Sequence, residues 1–308
     1  MTLDGIIKEK YMQKDNICRP IIKQGLSSFQ IKVIALVCMT LDHLAAFGFD
    51  IPIFEQYYTL LRTIGRIAAP LFLFILVQGA QNTRNRKRFI LRLYLAGMGC
   101  GLFVTATNFF FGETVGFFTP GNILFTFFYV VLYIELIEKL CNKIRCQSRE
   151  VFGYVIVIVA VTVVPHILNQ MICEVIPEGI SIQRLFLFQG LTDSFFPSIF
   201  RVEYSWGFVL LGIILYFLKT QKRQNIIFAL FCLLCVIGRF AVLINPDLYM
   251  SIGSFGTIFF DSQQCWMLLA LPFMMLYNGQ RGRKCKWFFY WYYPVHRFLI
   301  AVISALLT

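Results

Sequence analysis

Lys32 and His43 stand eleven residues apart in the apolar stretch Ile31–Phe49, IKVIALVCMTLDHLAAFGF. Eleven steps of about 100° return to nearly the same face of a helix, so a cation near one end and an imidazole about 16 Å further along share one side. The stretch is long and apolar enough to cross a bilayer. Ionisable groups at that depth are costly, and they mark a working site by default. Asp42 precedes His43 and so points about 100° away from it, which makes it a poor orienter of that ring. Its expected partner is an arginine, Arg66 or Arg239, and such a trio serves equally as a structural network or as part of a site.

The chain has 3 histidines, His43, His166 and His296, and each falls in or at the end of an apolar run. His296 lies in KWFFYWYYPVHRFLIAVI, about 14 Å from the start of that run and near its middle. Pro294 just before it frees backbone groups of the kind that line cavities. His43 and His296 are expected to face one another across a central cavity. His166 follows Pro165 near the far end of its helix and reads as an interfacial residue.

An activated acyl group on coenzyme A would use this arrangement. Its phosphates stay in the cytoplasm while an acceptor attacks the thioester deeper in the membrane or beyond it. That requires basic residues at the inner surface, a general base some three turns in, and a water-poor passage between them. Lys32 and the run RNRKRFILR, with Arg84, Arg88 and Arg92, are the candidate phosphate ligands. His43 is the candidate base, with His296 as a second base or a donor to the thioester oxygen, and Asp42, Arg66 and Arg239 surround them. No nucleophile beside a base stands out for an acyl-enzyme.

The elements that must position these residues are membrane helices. The 308 residues are 58% hydrophobic and 14% charged, with a mean hydropathy of +0.70, which excludes a soluble globular domain. Apolar runs of spanning length predict nine helices, roughly 30–49, 63–81, 91–111, 122–140, 151–172, 205–219, 226–244, 262–278 and 287–307. Residues 1–28 form a basic tail with no apolar core or cleavage site of a signal peptide, so the first span is expected to act as its own targeting signal. Residues 29–308 form a single membrane domain, since no repeat or separate soluble unit is evident.

The net charge of +12 would suggest nucleic acid, but the cations sit in alternate loops: the tail, 84–92, 143–149, 219–223 and 281–286. The intervening loops carry Asp50, Glu55, Glu113, Glu174, Glu178, Asp193, Glu203 and Asp247. The positive-inside rule then puts the N-terminus in the cytoplasm and the C-terminus outside, in a multi-pass protein of the cytoplasmic membrane. The longest outer segment, 173–204, mixes aromatic, acidic and glycine residues, and partial burial over the bundle is expected of it. The 10 cysteines are scattered through spans and basic loops, which is no disulfide framework. Cys232 and Cys235 form a lone CxxC without a second pair, and no metal site is expected there. Cys173 and Cys265 fall on the outer side, where pairing is open to them.

Three stretches together carry a family resemblance: IKVIALVCMTLDH, then LRTIGRIAAPLFLFILVQGAQNTRNRKRFILRL, then FYWYYPVH. They resemble the TraX family of membrane proteins from about residue 28 to 300, the middle much less than the ends. The resemblance implies a link to N-terminal acetylation of conjugative pilin, and a relation to the transmembrane acyltransferases that modify glycans and lipids outside the cytoplasm. In that wider group a basic residue, ten intervening positions and a histidine mark the first helix, and closely spaced arginines mark a cytoplasmic helix end. Lys32 and His43 match the first pattern with Lys in place of the usual Arg, which keeps the charge and loses the bidentate fork. Arg84 with Arg88, and Arg88 with Arg92, match the second.

These observations predict an acetyl-CoA-dependent O- or N-acetyltransferase, with a glycan, a lipid or a protein N-terminus as acceptor. Membrane lipid is the surrounding partner, and no metal or haem is expected. A small-solute or proton-coupled transporter would use His43, Asp42 and His296 as a relay, but it would show paired broken helices in two repeating halves. A non-catalytic assembly factor would tolerate His43→Ala. A haem carrier ligated by His43 and His296 would be visible in an absorption spectrum.

Overall fold

The computed structural model describes residues 24–47, 52–115, 121–175, 177, 179–245, 247, 259 and 263–307. The tail before residue 24, Cys18, Asp50, Glu178 and most of 245–261 lie outside the described residues. The helices in chain order are α1 (Ser28–Phe47), α2 (Pro52–Gln56), α3 (Tyr58–Gly65), α4 (Ala68–Gln81), α5 (Arg86–Val115) and α6 (Ile123–Arg145). They continue with α7 (Val151–Val175), α8 (Ile182–Phe195), α9 (Ser205–Phe217) and α10 (Gln221–Ile244), then a 3₁₀ turn (Gln264–Ala270) running into α11 (Leu271–Met275), and finally α12 (Lys286–Leu307). The chain is all-helical among the described residues, where five helical segments are long and apolar enough to cross a membrane. These are Ser28–Ala46, Tyr58–Gln81, Arg86–Glu113, Val151–Val175 and Gln221–Ile244.

The bundle is built around α4, of which Ala68–Leu71, Leu73–Val77 and Ala80 are all buried. It packs against α1, α6 and α9, while α12 closes the far side of α1 by leaning on both α1 and α5. The outer wall is α7, whose Val155, Ile156, Val159, Val163, Ile167 and Met171 are exposed, as suits a surface solvated by lipid. Its buried Asn169 donates to the Phe196 carbonyl at 2.9 Å and so ties the helix to the end of α8.

Three local features shape the site. The helix expected over 63–81 begins earlier, at Tyr58, and breaks at Arg66–Ile67. Pro70 is the cause: in a continuous helix it would offer no N–H to the Arg66 carbonyl, and its ring would press on that oxygen. The break lets α3 lie along α1, where Gly65 sits against Asp42, and a methyl group at Gly65 would come within 2.3 Å of Asp42 Cβ and Oδ1. Gly65→Ala is therefore expected to lower stability by about 1–3 kcal/mol through overpacking, read as a lower melting temperature in detergent.

The second feature is the segment 173–204, which is largely helical. Its α8 packs on α5 and α7, with Gly190 against Thr105 and with Thr192 and Ser194 buried, so the expected partial burial is observed. The third is the start of α1. Ser27 and Gln30 form a capping box, in which Gln30 Oε1 accepts from the Ser27 amide at 2.9 Å and Ser27 Oγ accepts from the Gln30 amide at 3.4 Å.

Candidate active site

The site is assembled from α1, α3, α12 and the start of α9. On α1, Lys32, Leu36 and Met39 follow at helical spacing and line one cavity, and His43 continues the stripe one turn further on. The cavity has a volume of about 190 Å³ and is walled mainly by α4, α5, α6 and α12, through side chains such as Phe72, Leu93, Phe127 and Phe289. Lys32 stands at one end, its ammonium 5.5 Å from the centre of the Phe289 ring. Tyr293 also lines the cavity, and its ring centre lies 6.3 Å from that of His43.

His43 and His296 are in direct contact: His43 Nδ1 lies 2.5 Å from His296 Nε2, and the rings stack with centres 4.8 Å apart. His43 is thus partnered, contrary to the expectation of an imidazole standing alone across a gap. The other nitrogen of His296, Nδ1, lies 2.6 Å from the Tyr292 carbonyl oxygen, which can only accept. For a neutral pair this fixes the tautomers. His296 carries its proton on Nδ1, its Nε2 accepts from His43 Nδ1–H, and the basic lone pair of His43 is at Nε2. Tyr292 is itself held against α1, its hydroxyl 2.8 Å from Thr40 Oγ1, and its ring stacks on His296 at 4.8 Å.

Asp42 looks the other way, as its step along α1 requires. Arg62 Nη1 meets its Oδ2 at 2.8 Å and Arg66 Nη2 meets its Oδ1 at 3.3 Å, so one carboxylate is gripped by two guanidinium groups, one from α3 and one from the break that follows it. Of the two expected partners Arg66 is present, Arg62 joins it, and Arg239 belongs elsewhere. On α10, Arg239 Nη1 lies 3.4 Å from Cys265 Sγ of the 3₁₀ turn. That turn is seven residues long, Gln264–Ala270, and the turn rather than α3 is what faces the Arg239 stretch of α10.

The phosphate candidates are also divided. Arg84, Arg88 and Arg92 are exposed at the start of α5 and line neither the Lys32 cavity nor its vestibule described below. Arg86, between them, is taken up by Glu135 and Glu138 of α6 and donates to the Tyr216 hydroxyl at 2.5 Å. His166 packs edge-on against Phe200 at 5.0 Å, away from the other two histidines. Cys173 and Cys265 are not joined in a disulfide, and each lies beside a different arginine, Arg201 and Arg239 respectively.

The sequence marks Arg297 as the cation following His296 inside the last span, but it does not single out Glu203 or Tyr293. The Tyr293 hydroxyl donates to Glu203 Oε2 at 2.9 Å, and Arg297 Nη1 reaches the same hydroxyl at 3.4 Å. The charge pattern places Glu203 with the acids of an outer loop, but the chain turns inward there. Its carbonyl accepts from Thr126 Oγ1 at 2.7 Å, and the next two residues, Tyr204 and Ser205, both adopt left-handed backbone with φ of 63° and 58°. Two adjacent non-glycine residues in that region carry strain of order 1–3 kcal/mol each, which persists only where surrounding contacts impose it. The usable signal was for Arg297, which directly follows His296 inside the last predicted span.

The TraX protein family profile matches residues 27–179 and 191–304, which takes in every element of this site. The chain is 26% identical over 278 residues to a protein of Dichelobacter nodosus named "Probable fimbrial assembly protein FimC, serogroup H1", an alignment covering 88% of this chain and 92% of that one. No solved structure matches it. By the extent of the family match, the chain belongs to the TraX protein family.

Proposed function

We propose that this protein is an acetyltransferase of the cytoplasmic membrane, with nine spans, its N-terminus inside and its C-terminus outside. It takes acetyl from cytoplasmic acetyl-CoA and delivers it to an acceptor at the outer side. The observation that carries this reading is the His43–His296 pair, one helical turn beyond the end of an apolar cavity that begins at Lys32. The cavity suits the thioester arm of the donor, and its mostly apolar lining favours acyl transfer over hydrolysis.

In this reaction the amine or hydroxyl of the acceptor attacks the thioester carbonyl carbon while His43 Nε2 takes the acceptor's proton. The carbon–sulfur bond then breaks, and the proton passes from His43 to the departing coenzyme A thiolate. His296 is a positioning residue. It accepts from His43 Nδ1–H, so it holds the ring and stabilises the imidazolium that forms, while the Tyr292 carbonyl holds His296 in turn. His296→Ala is expected to lower kcat by about 10²-fold with KM for acetyl-CoA little changed, since it frees the His43 ring without touching the cavity.

The relative's name as a fimbrial assembly protein supports a pilin-associated role, with a protein N-terminus as the favoured acceptor and glycan or lipid as the others. The test is coenzyme A release by the purified protein in detergent, given acetyl-CoA and a pilin-derived peptide with a free N-terminus. Acceptor-dependent release supports transfer, and no release with peptide, glycan or lipid acceptors refutes it. The same name favours a second reading, a non-catalytic assembly factor, under which His43→Ala would leave pilus assembly intact.

A further inference from the structure

A second cavity adjoins the first. It has a volume of about 550 Å³ and is lined by Phe29, Lys32, Arg281, Arg283, Lys284, Cys285, Phe288 and Phe289. Lys32 and Phe289 belong to both cavities, so the wide basic vestibule and the narrow apolar passage meet at those two side chains. Four cations and three phenylalanine rings make a wall suited to phosphates and a flat base together.

The vestibule is built rather than incidental. The Leu26 amide donates to the Leu276 carbonyl at 2.7 Å, the Asn278 amide to the Leu26 carbonyl at 2.9 Å, and the Ser28 amide to the Gln280 carbonyl at 2.8 Å. This backbone clasp fastens the loop before α12 to the entry of α1. Gly282 makes the close approach possible: its φ is +70°, and a Cβ there would fall 2.8 Å from both Phe29 Cβ and Ser27 Oγ. The clasp thereby fixes Arg281, Arg283 and Lys284 over Lys32.

Resting on the acetyl-CoA reading above, we propose that Lys32, Arg281, Arg283 and Lys284 form the seat for the phosphates of the donor's nucleotide end, with Phe29, Phe288 and Phe289 as the wall for its base. The cations of the Arg84–Arg92 run take no part. The shared chemistry is an amphiphile with phosphates at one end and a long arm at the other. A coenzyme A thioester fits it and so does an anionic phospholipid, and the experiment separates them.

The experiment measures equilibrium binding of radiolabelled coenzyme A to the full-length protein in detergent, with two triple variants. Arg281→Gln/Arg283→Gln/Lys284→Gln, all on an exposed loop, is expected to weaken binding about 100-fold, from two or more lost charge-assisted contacts. Arg84→Gln/Arg88→Gln/Arg92→Gln is expected to bind as the native protein does. Adenosine 3′,5′-bisphosphate should compete, and phosphatidylglycerol should not. If the second triple loses binding and the first keeps it, the vestibule assignment is overturned while the acetyl-CoA reading stands. If the native protein binds no coenzyme A, both are overturned, and protection of the 281–284 loop from proteolysis by phosphatidylglycerol would identify a lipid site instead.

Discussion

His43→Ala is expected to leave a folded protein whose acetyl transfer is about 10²–10⁴-fold slower than native. The magnitude is that of a lost general base: without Nε2, the acceptor must shed its proton with no positioned group to take it. The fold should survive because the loss leaves one unsatisfied nitrogen, His296 Nε2, at a cost of about 1–3 kcal/mol. Binding of coenzyme A should be unchanged, since Lys32 lies about 16 Å away along α1. The split to look for is a fall in kcat at constant donor affinity, with the melting temperature measured on the same preparation. A variant that transfers at the native rate removes His43 from the chemistry.

Asp42→Asn is expected to have the largest effect on stability, about 3–5 kcal/mol. Native Asp42 pairs with two guanidinium groups within the bundle, Arg62 at 2.8 Å and Arg66 at 3.3 Å, and the amide would remove the negative charge that both of these ion pairs share. Gly65, pressed against the same carboxylate, leaves no room for the helices to move apart and admit water without losing that packing. Pairing Asp42→Asn with Arg66→Met should recover part of the loss, because a buried charge is removed along with its partner. Denaturation in mild detergent, followed by the exposure of buried cysteine thiols such as Cys38 and Cys100, would measure it. A single variant as stable as the native protein would show that the trio serves the site and not the packing.

Much of this was legible in the sequence because membrane helices impose simple rules. Lys32, Leu36, Met39 and His43 share a face by spacing alone, and the same geometry turns Asp42 away from His43 and toward an arginine. What spacing cannot supply is which helix stands opposite. Arg66 and Arg239 were equivalent candidates for Asp42, and only the break imposed by Pro70 shows why α3 rather than α10 runs beside it. The vestibule was obscured for a related reason: Arg281–Lys284 reads as one more basic loop until backbone hydrogen bonds 250 residues apart in the chain fasten it over Lys32. Glu203 was hidden by its setting in a polar segment, since an inward turn through two left-handed residues has no sequence signal when neither is glycine or asparagine.

The measurement that bears most directly on acetyl transfer uses sealed proteoliposomes loaded with acetyl-labelled coenzyme A, bathed in pilin peptide, glycan and lipid acceptors. Label is expected in an acceptor outside the vesicles with the native protein, and not with His43→Ala reconstituted to the same level. Label that stays inside with native protein, or that reaches the acceptor equally with both, would contradict a catalytic role for the histidine pair.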